Sequence, residues 1–163
     1  MDVPVRLSDL AAMHPRLLWD EIAAATAAVL GLSPRGSARR LVLEVRDVPG
    51  FGSERMTLSI AAAGIVGRDI ARVRRTYEPP RLVELAAVAV AAMALYVAVR
   101  GTAADYLVYA ARQSLEVGGR SQRSDFEAAW RQKWERLLSR SARGFYVCVV
   151  EFETPSGRLA FAP

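Results

Sequence analysis

Hydrophobic residues in the N-terminal half of the chain recur at helical or strand spacing. Residues 17 to 30 (LLWDEIAAATAAVL) have the spacing of an amphipathic helix, which Gly31 ends. Residues 41 to 45 and 56 to 61 alternate between apolar and polar side chains, and the turn sequence DVPGFGS between them predicts a β-hairpin. Residues 62 to 77 suit either a third strand or a short helix. The pattern therefore predicts a helix followed by a hairpin.

A long apolar segment opens the second half of the chain. It predicts a helix over residues 80 to 99, with Pro80 well suited to the first helical turn. Two short apolar runs follow, at residues 106 to 109 and 115 to 117, and each predicts a strand. The polar turn between the runs allows the two strands to pair as a hairpin. The adjacent glycines Gly118 and Gly119 predict a break after the second strand.

The last segment has one strongly amphipathic stretch and two apolar ones. Residues 121 to 141 predict a helix with Ser124 as its N-cap. Residues 145 to 153 (FYVCVVEFE) predict a strand, and residues 159 to 161 a short final one. From residue 80 onward, the main predicted order is helix, strand, strand, helix, strand.

The length and composition of the chain favour a single domain. With 163 residues, of which 52% are hydrophobic, the chain is long enough to bury a core and too apolar for disorder. We predict the α/β (α+β) class, with a mixed central sheet flanked by at least three helices. An N-terminal element of a helix and a hairpin, residues 1–78, is expected to pack on a core formed by residues 79–163.

The apolar segment at residues 82 to 99 also has a membrane interpretation. It contains eighteen residues with one charge, Glu84, and it is flanked by Arg81 and Arg100. That length is marginal for a membrane span, and alanine contributes little to membrane insertion. A buried central helix in a soluble protein explains the same pattern, and we favour it.

The charge and cysteine content point to a basic cytoplasmic protein. The formal net charge is +5, with 21 arginines and a single lysine, Lys133. This balance fits an anionic partner, and a plain solvated surface accounts for it equally well. One cysteine, Cys148, excludes an internal disulfide and favours a reducing compartment. The N-terminus has no basic region before an apolar run, so it does not read as a signal peptide.

Two carboxylates are the strongest candidates for chemistry. Asp105 and Glu116 are separated by ten residues and belong to the two consecutive predicted strands. A hairpin would bring both to one edge of the sheet, where they could share Mg²⁺ or Mn²⁺. His14 and Cys148 are too few for a zinc cluster. The alternative is that Asp105 caps a turn and Glu116 faces solvent on its strand.

The sequence Ala104-Asp105-Tyr-Leu-Val followed by Leu115-Glu116-Val-Gly118, placed between two predicted helices, resembles the PD-(D/E)XK nuclease superfamily over residues 80 to 154. The resemblance implies a restriction-endonuclease-like core and phosphodiester hydrolysis with Mg²⁺ or Mn²⁺ bound by Asp105 and Glu116. It also implies an assisting carboxylate on the first helix, where Glu84 stands.

The chain departs from that family at one position. The family has a lysine two residues after the glutamate, and this chain has Gly118. Some members of the superfamily supply the lysine from the following helix, where this chain has Lys133 on the apolar face. The resemblance then implies that Lys133 supports the attacking water. The alternative is a lysine at the edge of the apolar face with its ammonium group in water.

The arginines suggest how such a domain would bind its substrate. Arginines concentrate in residues 68–81 and 120–143, and they suit a nucleic-acid groove or a solvated surface. We nominate Arg120, Arg123, Arg74 and Arg75 as the binding residues. We therefore predict a nuclease-like domain that binds DNA or RNA and is either a metal-dependent hydrolase or an inactive remnant. The alternative is a non-catalytic interaction or adaptor subunit of a larger bacterial assembly, with a protein partner or further copies of the chain.

Overall fold

The computed structural model describes residues 1–15, 18–98, 115–139 and 144–163. They form one mixed six-stranded sheet with helices on both faces, which confirms the α/β (α+β) class. In chain order the elements are β1 (Asp2–Arg6), α1 (Leu10–Met13), α2 (Trp19–Leu30), β2 (Arg39–Val48), β3 (Gly52–Ala61), α3 (Gly67–Thr76), α4 (Pro79–Ala98), β4 (Leu115–Arg120), α5 (Phe126–Ser139), β5 (Phe145–Glu151) and β6 (Ser156–Ala162), with 3₁₀ turns at Leu7–Asp9 and Arg123–Asp125.

The predicted hairpin lies inside the sheet. The strand order is β1-β3-β2-β6-β5-β4, and the antiparallel pair β2–β3 confirms the hairpin. Strand β2 also pairs in parallel with β6, from Val42 opposite Ser156 to Arg46 opposite Ala160. The hairpin, expected to pack on the central sheet as part of an N-terminal element, is therefore part of that sheet. The buried side chains of β2 continue the apolar face of β6, and hydrogen bonds join the two strands.

Helices α1 to α4 cover the first face of the sheet. Helix α4 is built largely of alanine and valine and is buried on most sides between the sheet and α2. In the described part of the chain it is the one helix whose length and mean hydropathy of 1.9 suit a membrane span. However, 67% of its apolar window is buried inside the fold. A largely apolar helix at the centre of a layered protein has this composition for packing alone.

The ambiguous segment at residues 62 to 77 forms helix α3. Its apolar residues Ile70 and Val73 are one helical turn apart and both are buried. The carboxylate of Glu21 on α2 accepts hydrogen bonds from Arg72 and from the Tyr77 hydroxyl. These bonds tie α3 to α2 and favour the helical alternative over a third strand.

Helix α5 covers the second face only in part. Its buried residues Ala129, Trp130 and Leu137 pack on Val147 and Val149 of β5 and on β6. It therefore lies over β4, β5 and β6, while the same face of β2, β3 and β1 carries mainly exposed polar side chains. The candidate site lies on this second face, where α5 meets β4, the edge strand among the described residues.

The two glycines of β4 do not end the strand as the sequence suggested. Strand β4 continues through them to Arg120, paired in parallel with β5. A Cβ atom at Gly119 would lie 2.5 Å from the carbonyl oxygen of Val83 on α4. Gly119 is therefore needed for close packing of the helix on the strand.

Two further boundaries differ from the prediction. Ser124 is not an N-cap, because it lies inside the 3₁₀ turn Arg123–Asp125, which begins after Gln122. The strand predicted to reach residue 153 ends at Glu151, whose carboxylate accepts hydrogen bonds from the following turn.

Candidate functional site at the α5–β4 contact

Three charged side chains meet at the edge of the sheet. Glu116 is the second residue of β4, and the Nζ atom of Lys133 lies 3.6 Å from its Oε2. The Nη2 atom of Arg136 lies 2.5 Å from its Oε1. Lys133 and Arg136 are three residues apart on α5 and so share one face of the helix. We call Glu116, Lys133 and Arg136 the charged cluster.

Gly118 provides the space in which the lysine lies. A Cβ atom at Gly118 would come within 2.5 Å of Lys133 Cε and 3.2 Å of Lys133 Cδ. The aliphatic part of Lys133 therefore crosses the strand directly over Gly118. Its side chain is 19% exposed, and the ammonium group reaches a carboxylate instead of extending into bulk water. The glycine in the strand and the lysine on the helix are structurally complementary.

The electrostatics of the charged cluster keep Glu116 ionised. Partial burial alone would raise the pKa of Glu116. The hydrogen bond from Arg136 and the charge of Lys133 outweigh this effect and hold the pKa below its ordinary value. With one carboxylate and two cations, the charged cluster has a formal charge of +1 at neutral pH.

The structure does not gather all the carboxylates nominated from the sequence. Asp105 lies outside the described residues, and so does its predicted strand. Glu84 is on α4, which packs on the first face of the sheet, whereas Glu116 and α5 are on the second face. The Glu84 side chain is 60% exposed, and its carboxylate lies 3.0 Å from the guanidinium of Arg81. Of the nominated catalytic residues, the described structure brings Glu116 and Lys133 together.

The nominated arginines fall into two groups. Arg120 and Arg123 lie at the end of β4 and just after it, where Arg120 donates to the Gly119 carbonyl and Arg123 donates to Thr154. Arg74 and Arg75 lie in the last turn of α3, in the helical layer of the first face, and Arg74 donates to the carbonyl of Ala28. A single groove on one face would not include all four arginines.

The described residues fit Mg²⁺ or Mn²⁺ only incompletely. These ions take several oxygen ligands. Within residues 1–15, 18–98, 115–139 and 144–163, no three His, Cys, Asp or Glu side chains cluster as a metal site would need. Of the two carboxylates nominated as metal ligands, only Glu116 is among the described residues, and each of its oxygens lies next to a cation.

Arg136 was not nominated individually from the sequence; it was one of several arginines in residues 120–143 that could line a groove. Its only signal is the three-residue spacing from Lys133, which becomes informative once Lys133 is known to contact β4. Arg136 is one of many arginines on an amphipathic helix, and charge alone does not distinguish it from Arg131. The partner that gives it a role is a glutamate twenty residues away in the chain.

A groove of about 930 Å³ opens on the other side of α5, above β2 and β6. Arg158 lies in its floor, bonded to Glu44 and Glu127 and positioned over the rings of Phe126 and Trp130. The acidic lining residues are Glu44, Asp47, Glu54, Glu127 and Glu151, and the basic ones are Arg46, Arg55, Arg123 and Arg158. With charges so nearly balanced, the groove selects neither anions nor cations.

A buried carboxylate at the end of that groove has a structural role. Glu151 is fully buried and accepts hydrogen bonds from the hydroxyl groups of Thr154 and Ser156 and from the backbone N–H groups of Glu153 and Thr154. Burial would raise its pKa, but these hydrogen bonds hold the pKa below its ordinary value. These donors lie in the turn between β5 and β6 and at the first residue of β6, so Glu151 shapes that turn.

Comparison with known proteins gives no match to a family model, a curated protein or a solved structure. The class that the described fold defines is thus a layered α/β (α+β) protein with a charged cluster at the edge of its sheet. What this protein does must be inferred from its own residues.

Proposed function

We propose that this protein is a nuclease-like domain, related in plan to the PD-(D/E)XK nucleases, and that it binds DNA or RNA. The observation that carries the proposal is the path of Lys133. Its side chain fills the space over Gly118 and brings an ammonium group to Glu116. Gly118 is the strand position at which the family has its lysine. Here the positive charge reaches that position from Lys133 on the helix.

The order of elements around the charged cluster supports the same proposal. Helix α4 precedes β4, and α5 then connects β4 to its parallel neighbour β5. The resemblance implies a helix before the strand with the glutamate, then a second helix and a further strand. A net charge of +5 for the whole chain adds a general attraction for polyanions.

A purely structural ion pair is the competing explanation of the charged cluster. A solvent-exposed ion pair stabilises a protein by about 0–1 kcal/mol. A lysine that only needed hydration could extend into solvent from the edge of α5. Here it gives up most of its exposure and requires a glycine on the opposing strand. That double requirement favours a functional role for the ammonium group.

The proposal has a hydrolytic form and a binding-only form. The hydrolytic form requires a Mg²⁺ or Mn²⁺ ion, which would polarise the phosphodiester, with Asp105 and Glu116 as its ligands and Glu84 assisting. In the binding-only form the scaffold and its cations remain, and hydrolysis has been lost. Both forms predict association with nucleic acid that weakens as salt is added.

The two forms can be separated with purified protein. Cleavage of plasmid DNA, single-stranded DNA and RNA is measured with Mg²⁺, with Mn²⁺ and with EDTA. In the hydrolytic form, the metal ions raise the melting temperature, and Asp105→Ala or Glu116→Gln removes both that shift and cleavage. Lys133→Ala removes cleavage, whereas Arg131→Gln on the same helix leaves it unchanged. Oligonucleotide binding without cleavage or a metal-induced shift establishes the binding-only form. Absence of oligonucleotide binding contradicts the whole proposal.

A second candidate is an interaction subunit of a larger assembly. The observation that favours it is a set of exposed apolar side chains on or beside the helices, with exposed fractions of 75% at Leu18, 50% at Val66 and 59% at Leu138. This candidate predicts self-association or a protein partner and no affinity for nucleic acid. Light scattering of the purified chain, together with the oligonucleotide measurement, distinguishes the two candidates.

A further inference from the structure

The charge of the cluster is unfavourable for a metal ion and favourable for an anion. A divalent ion approaching Glu116 would meet the guanidinium of Arg136 at one oxygen and the ammonium of Lys133 near the other. An anion would meet two cations and one carboxylate, with a net charge of +1. Because the carboxylate is partly buried and paired, its charge is largely compensated by its partners.

The two cations keep hydrogen-bond donors to spare. A guanidinium has five N–H donors and an ammonium group has three. The Glu116 carboxylate can accept only some of these bonds, and the Arg136 side chain is 50% exposed. A phosphate group arriving from solvent can accept bonds from Arg136 while Glu116 keeps both cations in place. Arginine suits phosphate because its N–H groups can bond two oxygens at once.

A third cation lies on the same face of β4. Glu116, Gly118 and Arg120 alternate along the strand and so project to one side. At about 3.3 Å per residue, Arg120 is roughly 13 Å from Glu116 along the strand. A polyanion lying along the α5–β4 contact would meet Arg136 and Lys133 first and Arg120 further on. A free phosphate ion would meet only the first two.

We propose that the charged cluster is a metal-independent phosphate-binding site for the backbone of a nucleic acid. Glu116 acts as a positioning residue that holds Lys133 and Arg136 toward the phosphate, in the place where the resemblance implies a metal ligand. This inference rests on the proposed function and favours its binding-only form. It identifies the side of the sheet on which nucleic acid binds, and it adds Arg136 to the residues that bind it.

The test is fluorescence anisotropy with a labelled 20-nucleotide single strand and a 20-base-pair duplex, titrated over salt in EDTA and in Mg²⁺. We expect binding in EDTA to be at least as tight as in Mg²⁺, because Mg²⁺ competes with the protein for the phosphates. Lys133→Gln and Arg136→Gln should each weaken binding and make the negative slope of log affinity against log salt shallower, by about 0.7 for the single strand or about 0.9 for the duplex. Arg131→Gln, the same charge change on an exposed position of α5, should do neither.

Glu116→Gln gives an independent test through the direction in which the affinity changes. The glutamine oxygen still accepts a hydrogen bond from Arg136, while the negative charge beside the phosphate is lost, so binding in EDTA should be unchanged or tighter. Loss of a Mn²⁺-induced rise in melting temperature in this variant would instead identify Glu116 as a metal ligand and overturn the inference. If Lys133→Gln does not fold, the test uses Arg136→Gln and Lys133→Arg. The Lys133→Arg variant retains the charge and should retain binding.

The outcomes separate the two levels of proposal. If the wild-type chain binds neither oligonucleotide at low salt, the proposed function fails and the phosphate site with it. If the wild type binds but requires Mg²⁺, or if Arg136→Gln matches Arg131→Gln, only the phosphate site fails. If the wild type binds without Mg²⁺ and Arg136→Gln weakens binding, the preference for the single strand or the duplex identifies which nucleic acid the site accepts.

Discussion

At the scale of single residues, the most informative feature is a pair of adjacent glycines that make space for helices on opposite faces of β4. Gly118 faces α5 and leaves space for Lys133, and Gly119 faces α4 and leaves space for the backbone of Val83. From the sequence both appeared to end a strand, because glycine most often interrupts one. The structure shows that they instead let helices approach a thin edge strand from both sides.

This geometry predicts different costs for two neighbouring substitutions. In Gly119→Ala the new Cβ meets the rigid backbone oxygen of Val83, so we expect a loss of about 2–3 kcal/mol in the free energy of unfolding. In Gly118→Ala the Cβ meets the flexible end of Lys133, which can move away, so we expect about 1 kcal/mol or less. Urea denaturation of the two variants measures the difference. Equal losses would contradict the packing described here.

At the scale of elements, single side chains connect neighbouring parts of the helical layer. Near the N-terminus, the chain after α1 is anchored to α4 by His14, whose Nε2 lies 2.9 Å from the carbonyl oxygen of Ala92. A carbonyl oxygen only accepts, so Nε2 carries the proton. The ring also packs edge-on against Tyr96. Burial lowers the pKa of His14, which favours the neutral ring in the folded state.

The direction of that shift fixes a pH dependence. Above about pH 6.5 the ring is neutral in both states, and the contact contributes its full stability. As the pH falls below about 6.5, the unfolded chain takes up a proton before the folded chain does, so stability decreases down to the folded pKa. His14 is the only histidine, so its imidazole NMR signals give the folded pKa directly. A folded pKa at or above 6.5 would contradict this account, and His14→Gln should flatten the dependence in this pH range.

At the scale of the whole molecule, the pairing of β2 with β6 decides the architecture. It joins residues 39–48 to residues 156–162 in the middle of one sheet. Residues 1–78 and 79–163, the N-terminal element and the core of the predicted single domain, therefore share backbone hydrogen bonds and one main core. The predicted class survives this change, because a mixed sheet flanked by helices is common to both arrangements.

Shared pairing predicts a single cooperative unfolding transition. Breaking β2 from β6 exposes the apolar faces of both halves, so neither half should persist without the other. Denaturation followed by far-ultraviolet circular dichroism and by tryptophan fluorescence should give coincident curves. As a second measurement, a fragment of residues 79–163 should lack a cooperative transition. Two separated transitions for the full chain would show that the halves are independent.

The candidate site was partly accessible from the sequence. Glu116 stood out because it follows the pattern of a known family, and Lys133 because it is the only lysine and falls on an apolar helix face. Arg136 could not be singled out from the sequence, because an arginine on a helix surface has no distinguishing pattern until its partner is known. Strand β1 was missed for a similar reason. Its charged residues Asp2 and Arg6 and its Pro4 disfavour a strand locally, and its pairing with β3 is a contact distant in sequence.

The sequence by itself determined most of the helices, the β2–β3 hairpin and the fold class, because helical and strand periodicities are local properties of the chain. Only the tertiary structure decided that β2 lies beside β6, that α5 covers half of one face, and that Lys133 and Arg136 share Glu116. These arrangements depend on which apolar surfaces pack together across more than a hundred residues, or on which of many similar arginines meets a carboxylate. Both are decided by the folded chain as a whole.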